Sequence, residues 1–241
     1  MTASVVLLLT WLVLGIPAAI IFYPWTLLTG DISALYKVAM WIAHAGIELA
    51  GVRIEIEGRE RVPAGKACIF MANHLSNLDP PVLLPLIPGR TSVFLKRSLM
   101  KIPILGYGMK LADLIPVDRA GHIDSAKESI AAARKALAKG VHMTTFVEGS
   151  RSRDGRLQAF KKGSFFLAKQ AGALCIPVSI YGTEQMMPRG RLRIRRGTAH
   201  IVFHAPINPA DFHTREELIK AVRAAIASGL PERMQAAGNR E

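Results

Sequence analysis

The sequence predicts an α/β domain preceded by an N-terminal hydrophobic helical segment that associates with a membrane. Three observations lead there. From residue 52 onward, short apolar runs typical of buried strands alternate with stretches of helical periodicity, the pattern of a sheet covered by helices. Residues 5–28 contain no charged side chain. The composition is both apolar and basic: half of the residues are hydrophobic, the mean hydropathy is +0.25, and the formal charge is +13.

The 241 residues suffice for one substantial domain and a small appendage. A sequence pI of about 10.2 suits polyanions: nucleic acid, anionic lipid headgroups or phosphorylated substrates. Apolar and basic together favour the membrane surface. Cys68 and Cys175 lie in apolar runs, which argues against a disulfide framework. No Cys/His cluster has zinc-ligand spacing, and there is no internal repeat.

The elements follow in order. As a helix, residues 5–28 would extend about 36 Å, against a hydrocarbon core of about 30 Å. No Lys or Arg precedes them, which sets aside a cleavable secretory signal. Pro17 and Pro24 are expected to kink the helix, and Tyr23 and Trp25 suit a membrane interface. The sequence leaves open whether the helix spans or stays in one leaflet. Residues 32–50 place Lys37, Trp41, His44 and Glu48 on one helical face, fitting a helix that lies in the interface or packs on its neighbours. The boundary is drawn at residue 51, with membrane-associated helices at 1–51 and the catalytic domain at 52–241.

Residues 52–58 alternate strictly, as a half-buried strand does. Strands are expected at 67–72, 91–95, 112–119, 141–147 and 174–181. Helices are expected from Pro80, at 103–111, from a Ser125/Glu128 capping box to Gly140, at 163–172, and from a Thr214/Glu217 capping box. Residues 191–196 and 199–204 are expected to form a hairpin about Gly197.

The chemistry gathers where strands end, as it does in open α/β sheets. Asn73-His74 closes the strand at 67–72, and Asp79 follows His74 by five residues. A neutral imidazole takes a proton from a hydroxyl near pH 7, and a carboxylate on its other nitrogen fixes the tautomer. The same Asp79, followed by Pro80, is also an ordinary helix start. Lys96 ends the strand at 91–95. Arg119 ends the strand at 112–119. Glu148-Gly149-Ser150-Arg151 ends the strand at 141–147, with Lys161 and Lys162 nearby in sequence. Arginine holds a phosphate bidentately and lysine holds it as a point charge.

These blocks resemble the glycerolipid acyltransferases, in particular the bacterial 1-acyl-sn-glycerol-3-phosphate acyltransferases. Asn73-His74 with Asp79 matches the Asn-His-x4-Asp block of that family. Ile115-Pro116-Val117-Asp118-Arg119 matches its second block. Phe146-Val147-Glu148-Gly149-Ser150-Arg151-Ser152 matches its Phe-Pro-Glu-Gly-Thr-Arg-Ser block, and Ile176-Pro177-Val178-Ser179 matches its fourth. Val147 stands for the usual proline, which is expected to loosen the turn, and Ser150 stands for the usual threonine.

The resemblance implies a mixed central sheet flanked by helices. It implies His74 as general base oriented by Asp79. Arg119, Glu148, Gly149 and Arg151 then form the phosphate pocket, to which the Ser150 hydroxyl and the strand-end Lys96 are expected to add, and Pro177 shapes a wall of the acyl-donor pocket. The implied reaction moves a fatty acyl group from acyl-CoA or acyl carrier protein to lysophosphatidic acid, or to another lysolipid, with no metal and no bound cofactor. The implied place is the cytoplasmic face of a bacterial inner membrane. A serine hydrolase is disfavoured because Gly-x-Ser-x-Gly is absent. A nucleic-acid binder is disfavoured by the uncharged N-terminus; Arg189, Arg191, Arg193, Arg195 and Arg196 suit anionic headgroups instead.

Overall fold

The structure, a computed structural model, describes residues 2–117 and 123–235. Two helices come first: α1 (Ala3–Thr29) and α2 (Ser33–Leu49). The sheet strands are β1 (Val52–Glu57), β2 (Ile69–Ala72), β3 (Thr91–Lys96), β4 (Ile115–Val117), β5 (His142–Phe146), β6 (Cys175–Tyr181) and β7 (Gly197–Phe203). Between them lie α3 (Asp79–Leu83), α4 (Leu105–Leu111), α5 (Ile123–Ala138), α6 (Gly163–Ala171) and α7 (Thr183–Met186), and α8 (Arg215–Ser228) follows the last strand.

The strand order is β1-β7-β6-β2-β5-β3-β4. The central strands β6, β2, β5, β3 and β4 run parallel, so all five C-terminal ends open on one edge of the sheet. The chain returns through β7, antiparallel to β6 and parallel to β1, which makes the sheet mixed as expected. One face of the sheet packs Phe70, Ile176, Ile180 and Phe203 in a core shared with Ile47 and Ala50 from the α2 end. The other packs Ile69, Met71, Met143 and Cys175 beneath Phe165, Leu218 and Val222 of the covering helices. Burial on both faces explains why the central strands read as continuous apolar runs.

The expected hairpin at 191–204 does not form. β7 is bonded on one side to β1 and on the other to β6, so no free strand edge is left for residues 191–196. That segment runs instead against the start of α1, where the Ile194 amide donates to Ser4 Oγ at 2.7 Å and Ser4 Oγ donates to Leu192 O at 3.0 Å. The Thr214–Glu217 capping box forms as read, with both reciprocal bonds. α5 opens at Ile123, ahead of the expected Ser125 cap, whose side chain lies outside the described residues.

α1 runs helical through both Pro17 and Pro24, with 11% of its most apolar window buried. α2 packs antiparallel on it: a Cβ at Gly46 would lie 2.5 Å from Trp11 Nε1. The far end of α1 is tied to the α/β body. Tyr23 Oη donates to Ile104 O at 2.5 Å, and its ring meets Tyr107 edge-on at 5.4 Å. α2 is tied as well, since the Thr91 amide at the start of β3 donates to Tyr36 Oη at 3.1 Å.

Beyond β6 the chain turns on Gly182, at φ 91°, where a Cβ would sit 2.2 Å from the Thr198 carbonyl oxygen. Both the backbone angle and the contact demand glycine. Gly182→Ala is expected to destabilise the fold by at least ~2 kcal/mol, seen as a lower thermal midpoint at unchanged helix content in the folded state.

Candidate active site

Two of the sequence blocks, at Asn73-His74 and at Glu148, follow strands on the C-terminal edge, and the fold brings them together. β2 and β5 are neighbours with Ala72 opposite Phe146, so the residues after each strand meet. The Asn73 side chain continues the pairing on the other side. Its Nδ2 donates to Ile180 O and its Oδ1 accepts from the Ile180 amide, each at 2.8 Å, which clamps the end of β2 to β6.

His74 comes next, and the turn that follows is organised by Asp79. The carboxylate is fully buried. Its Oδ2 accepts from His74 Nδ1 at 2.7 Å, from the Leu75 amide at 2.6 Å and from the Ser76 amide at 2.8 Å. Its Oδ1 accepts from Thr183 Oγ1 at 2.5 Å. Asp79 thus faces back over its own turn. Leu78 caps α3, with Pro80 in its first turn. A carboxylate held by four donors acts as acceptor only, so the ring proton sits on Nδ1 and the lone pair on Nε2. The ring stacks on Phe146 at 4.2 Å between centroids, and the His74 side chain is 15% exposed, enough to meet a substrate from one side.

Glu148 has a different place from the one expected. It is 2% exposed, and both oxygens are occupied by backbone amides: Oε1 accepts from His74 N at 3.0 Å and Oε2 from Gln158 N at 3.2 Å. It braces the histidine's main chain from beneath rather than lining an open phosphate site. Burial pushes its carboxyl up to about 7, opposed by the two amides, with the nearby Asp79 charge adding to the rise. The loop it begins is tied to the same strand end, since the Ser152 amide donates to His74 O at 2.8 Å.

Val147 does not loosen this turn. Its amide donates to Ala72 O at 2.9 Å, adding a rung between β2 and β5 that proline has no N–H to make. Gly149 takes φ 71°, and a Cβ there would press at 3.0 Å on Lys161 Cγ, so the lysine side chain passes over the loop. Ser150 and Arg151 are half-buried on that loop, and Arg151 O accepts from Arg189 Nη1 at 3.0 Å. Lys96 is exposed at the end of β3, opposite Val117 at the end of β4. Arg119 lies outside the described residues.

Pro177 is buried within β6, opposite Met71 of β2. Its carbonyl accepts from the His204 amide at 2.9 Å. Its missing N–H falls where the pairing of β6 with the returning chain slips by one residue, between Val178↔Phe203 and Cys175↔Ile207. A bulge is where a central strand tolerates proline.

Thr183 was not singled out by sequence. The signal available was a glycine and a hydroxyl placed directly after a strand whose end shares the edge with His74.

With this geometry in place, the chain can be set beside known proteins. The acyltransferase family model matches residues 53–181, more than half of the chain. The chain belongs to the acyltransferase family. It is 30% identical over 225 residues to the 1-acyl-sn-glycerol-3-phosphate acyltransferase of Limnanthes douglasii, covering 91% of this chain and 78% of that one. It is 28% identical to the protein of the same name from Borreliella burgdorferi, over 82% of this chain and 76% of that one. The chloroplastic relative from Arabidopsis thaliana is 35% identical over 162 residues, which is 65% of this chain and 44% of that protein. The chain spans about half the length of three plant and algal relatives it matches. The crystal structure of the Thermotoga maritima 1-acyl-sn-glycerophosphate acyltransferase superposes with a TM-score of 0.77 at 27% identity, covering 93% of each chain.

Two variants of this acyltransferase test the bracing of the histidine. Thr183→Val removes one donor to Asp79 at nearly constant shape. It is expected to lower kcat about tenfold with little change in KM, while Thr183→Ser retains activity; steady-state kinetics check both. For Glu148, the folded carboxyl titrates near 7, above its ordinary 4.5, so the folded state holds the proton more tightly than the unfolded chain. This contribution to stability is fully present below about 4.5 and is lost as pH rises through about 7. Glu148→Gln is expected to flatten that decline, read from thermal midpoints across pH 4.5–7.5.

Proposed function

We propose that the protein transfers a fatty acyl group from a thioester donor to the free sn-2 hydroxyl of 1-acylglycerol 3-phosphate, giving phosphatidic acid. The observation that carries this reading is the His74–Asp79 pair, with Nδ1 held at 2.7 Å by a buried carboxylate and Nε2 left for substrate. The names of the relatives support the acceptor.

In this reading the acceptor hydroxyl gives its proton to His74 Nε2 as its oxygen bonds to the thioester carbon. The tetrahedral centre collapses, the carbon–sulfur bond breaks, and the imidazolium returns the proton to the departing thiolate. Asp79 stabilises the imidazolium through the bond it already makes. General-base help contributes about 10²–10⁴-fold, so positioning must supply much of the rest. Arg119, Ser150, Arg151 and Lys96 are the groups we assign to the acceptor phosphate, with Gly149 giving the loop its turn, Glu148 bracing His74 from behind, and Pro177 shaping the wall of the acyl-donor pocket. The donor is acyl-CoA or acyl carrier protein.

Residues 1–51 serve, in this reading, as the membrane-associated element and 52–241 as the catalytic domain, working at the cytoplasmic face of the inner membrane. The outer side of α1, where Leu8, Val13, Ile20 and Ile21 are all more than half exposed, supports a lipid contact.

The test is release of free thiol from acyl-CoA, in the presence of lysophosphatidic acid or of lysophosphatidylcholine. His74→Ala is expected to lose at least about a hundredfold in kcat with acceptor binding retained. Equal rates with the two acceptors would overturn the phosphate assignment, and full activity in His74→Ala would overturn the mechanism.

A further inference from the structure

A groove of about 660 Å³ lies between α2, the end of β1 and the segment leading into β3. It is on the other edge of the sheet from His74. Gly89 and Arg90, in its wall, immediately precede the first residue of β3, whereas His74 follows the last residue of the parallel strand β2. Ile56 reaches the same edge because β1 runs with β7, against the central strands.

The lining is of two kinds. Lys37, Arg59 and Arg90 supply cationic groups, and among the described residues no carboxylate lines the groove. The acids close by are Asp113, 3.2 Å from Arg90 Nη2, Glu48, 3.5 Å from Nε2 of the lining residue His44, and Asp31, whose carboxyl is lowered by its hydrogen bonds to Ser33 and in smaller part by Arg90 and Lys37. Met40, Trp41, Ile56 and Leu86 supply an apolar floor and rim. Trp41 is 61% exposed, an amphipathic ring at the mouth of a basic site. The groove begins at Ser33, just past the end of α1, where Trp25, Leu27 and Leu28 are all more than half exposed. The groove therefore continues the apolar surface that α1 presents.

A ligand matched to this groove carries negative charge at one end and hydrocarbon at the other, and reaches it from the apolar surface beside it. We propose that the groove binds one anionic phospholipid taken from the surrounding leaflet, at a site separate from the acyl-transfer centre. Its headgroup phosphate meets Lys37, Arg59 and Arg90, and the first part of an acyl chain lies along Met40, Ile56 and Leu86 beneath Trp41. This assignment does not depend on which reaction His74 performs.

The experiment uses the full chain in neutral detergent micelles and titrates phosphatidylglycerol brominated on its acyl chain, which quenches tryptophan on contact. The site-specific signal is the part of the quenching that Trp41→Phe removes. Expected is a saturable Trp41 signal with brominated phosphatidylglycerol and none with brominated phosphatidylcholine. In Lys37→Gln/Arg59→Gln, half-saturation should move to about tenfold higher lipid with an unchanged thermal midpoint. His74→Ala should leave the signal as it is in the parent protein. Equal quenching by the two lipids, or an unmoved half-saturation in the double variant, would overturn the proposal. So would loss of the signal in His74→Ala, which would assign the contact to the acyl-transfer centre. Competition by inorganic phosphate at the same concentration as the lipid would overturn the lipid assignment in favour of a free anion.

Discussion

The site depends on one buried carboxylate. Asp79 is removed from water and given four hydrogen-bond donors in return: a ring nitrogen, two backbone amides and a hydroxyl. Burying a carboxylate is costly unless such bonds are made, so the turn from Leu75 to Leu78 is held in the shape that makes them. Moving His74 would uncover that cost, and the imidazole inherits its rigidity from the acid behind it.

The rest of the edge serves the same histidine. Asn73 fastens the strand before it to β6. Glu148 holds its backbone amide, and the Ser152 amide holds its carbonyl. Phe146 lies under its ring. Neighbouring strands thus each contribute a contact, which requires their C-terminal ends to lie side by side. The parallel arrangement of β6, β2, β5 and β3 supplies that condition.

What the sequence made legible is what local spacing controls. The His74–Asp79 contact is closed by a five-residue turn, and Pro80 marks the helix that ends it, so both could be read directly. The alternation of apolar runs and helical stretches located β2, β3, β5 and β6 to within a residue or two, while β4 begins three residues later than expected. Contacts set by the whole sheet were not legible. Thr183 reaches Asp79 across 104 residues of chain. The hairpin at 191–204 failed because occupancy of both edges of β7 is decided by strands far away in sequence. The family resemblance puts Glu148 in a phosphate pocket, yet burial turns it inward onto backbone amides.

The two fastenings of α1 have a consequence for how this acyltransferase sits. Ser4 is bonded to the loop at 192–194, and Tyr23, about 28 Å along the helix, is bonded to Ile104. A rod fixed at both ends to the α/β body stays alongside that body over its whole length. In the membrane-associated reading proposed above, such a rod would rest on its side, offering one flank to the acyl chains like the keel of a boat. In that reading the histidine would stay at a constant height above the hydrocarbon, within reach of lipids that never leave their layer.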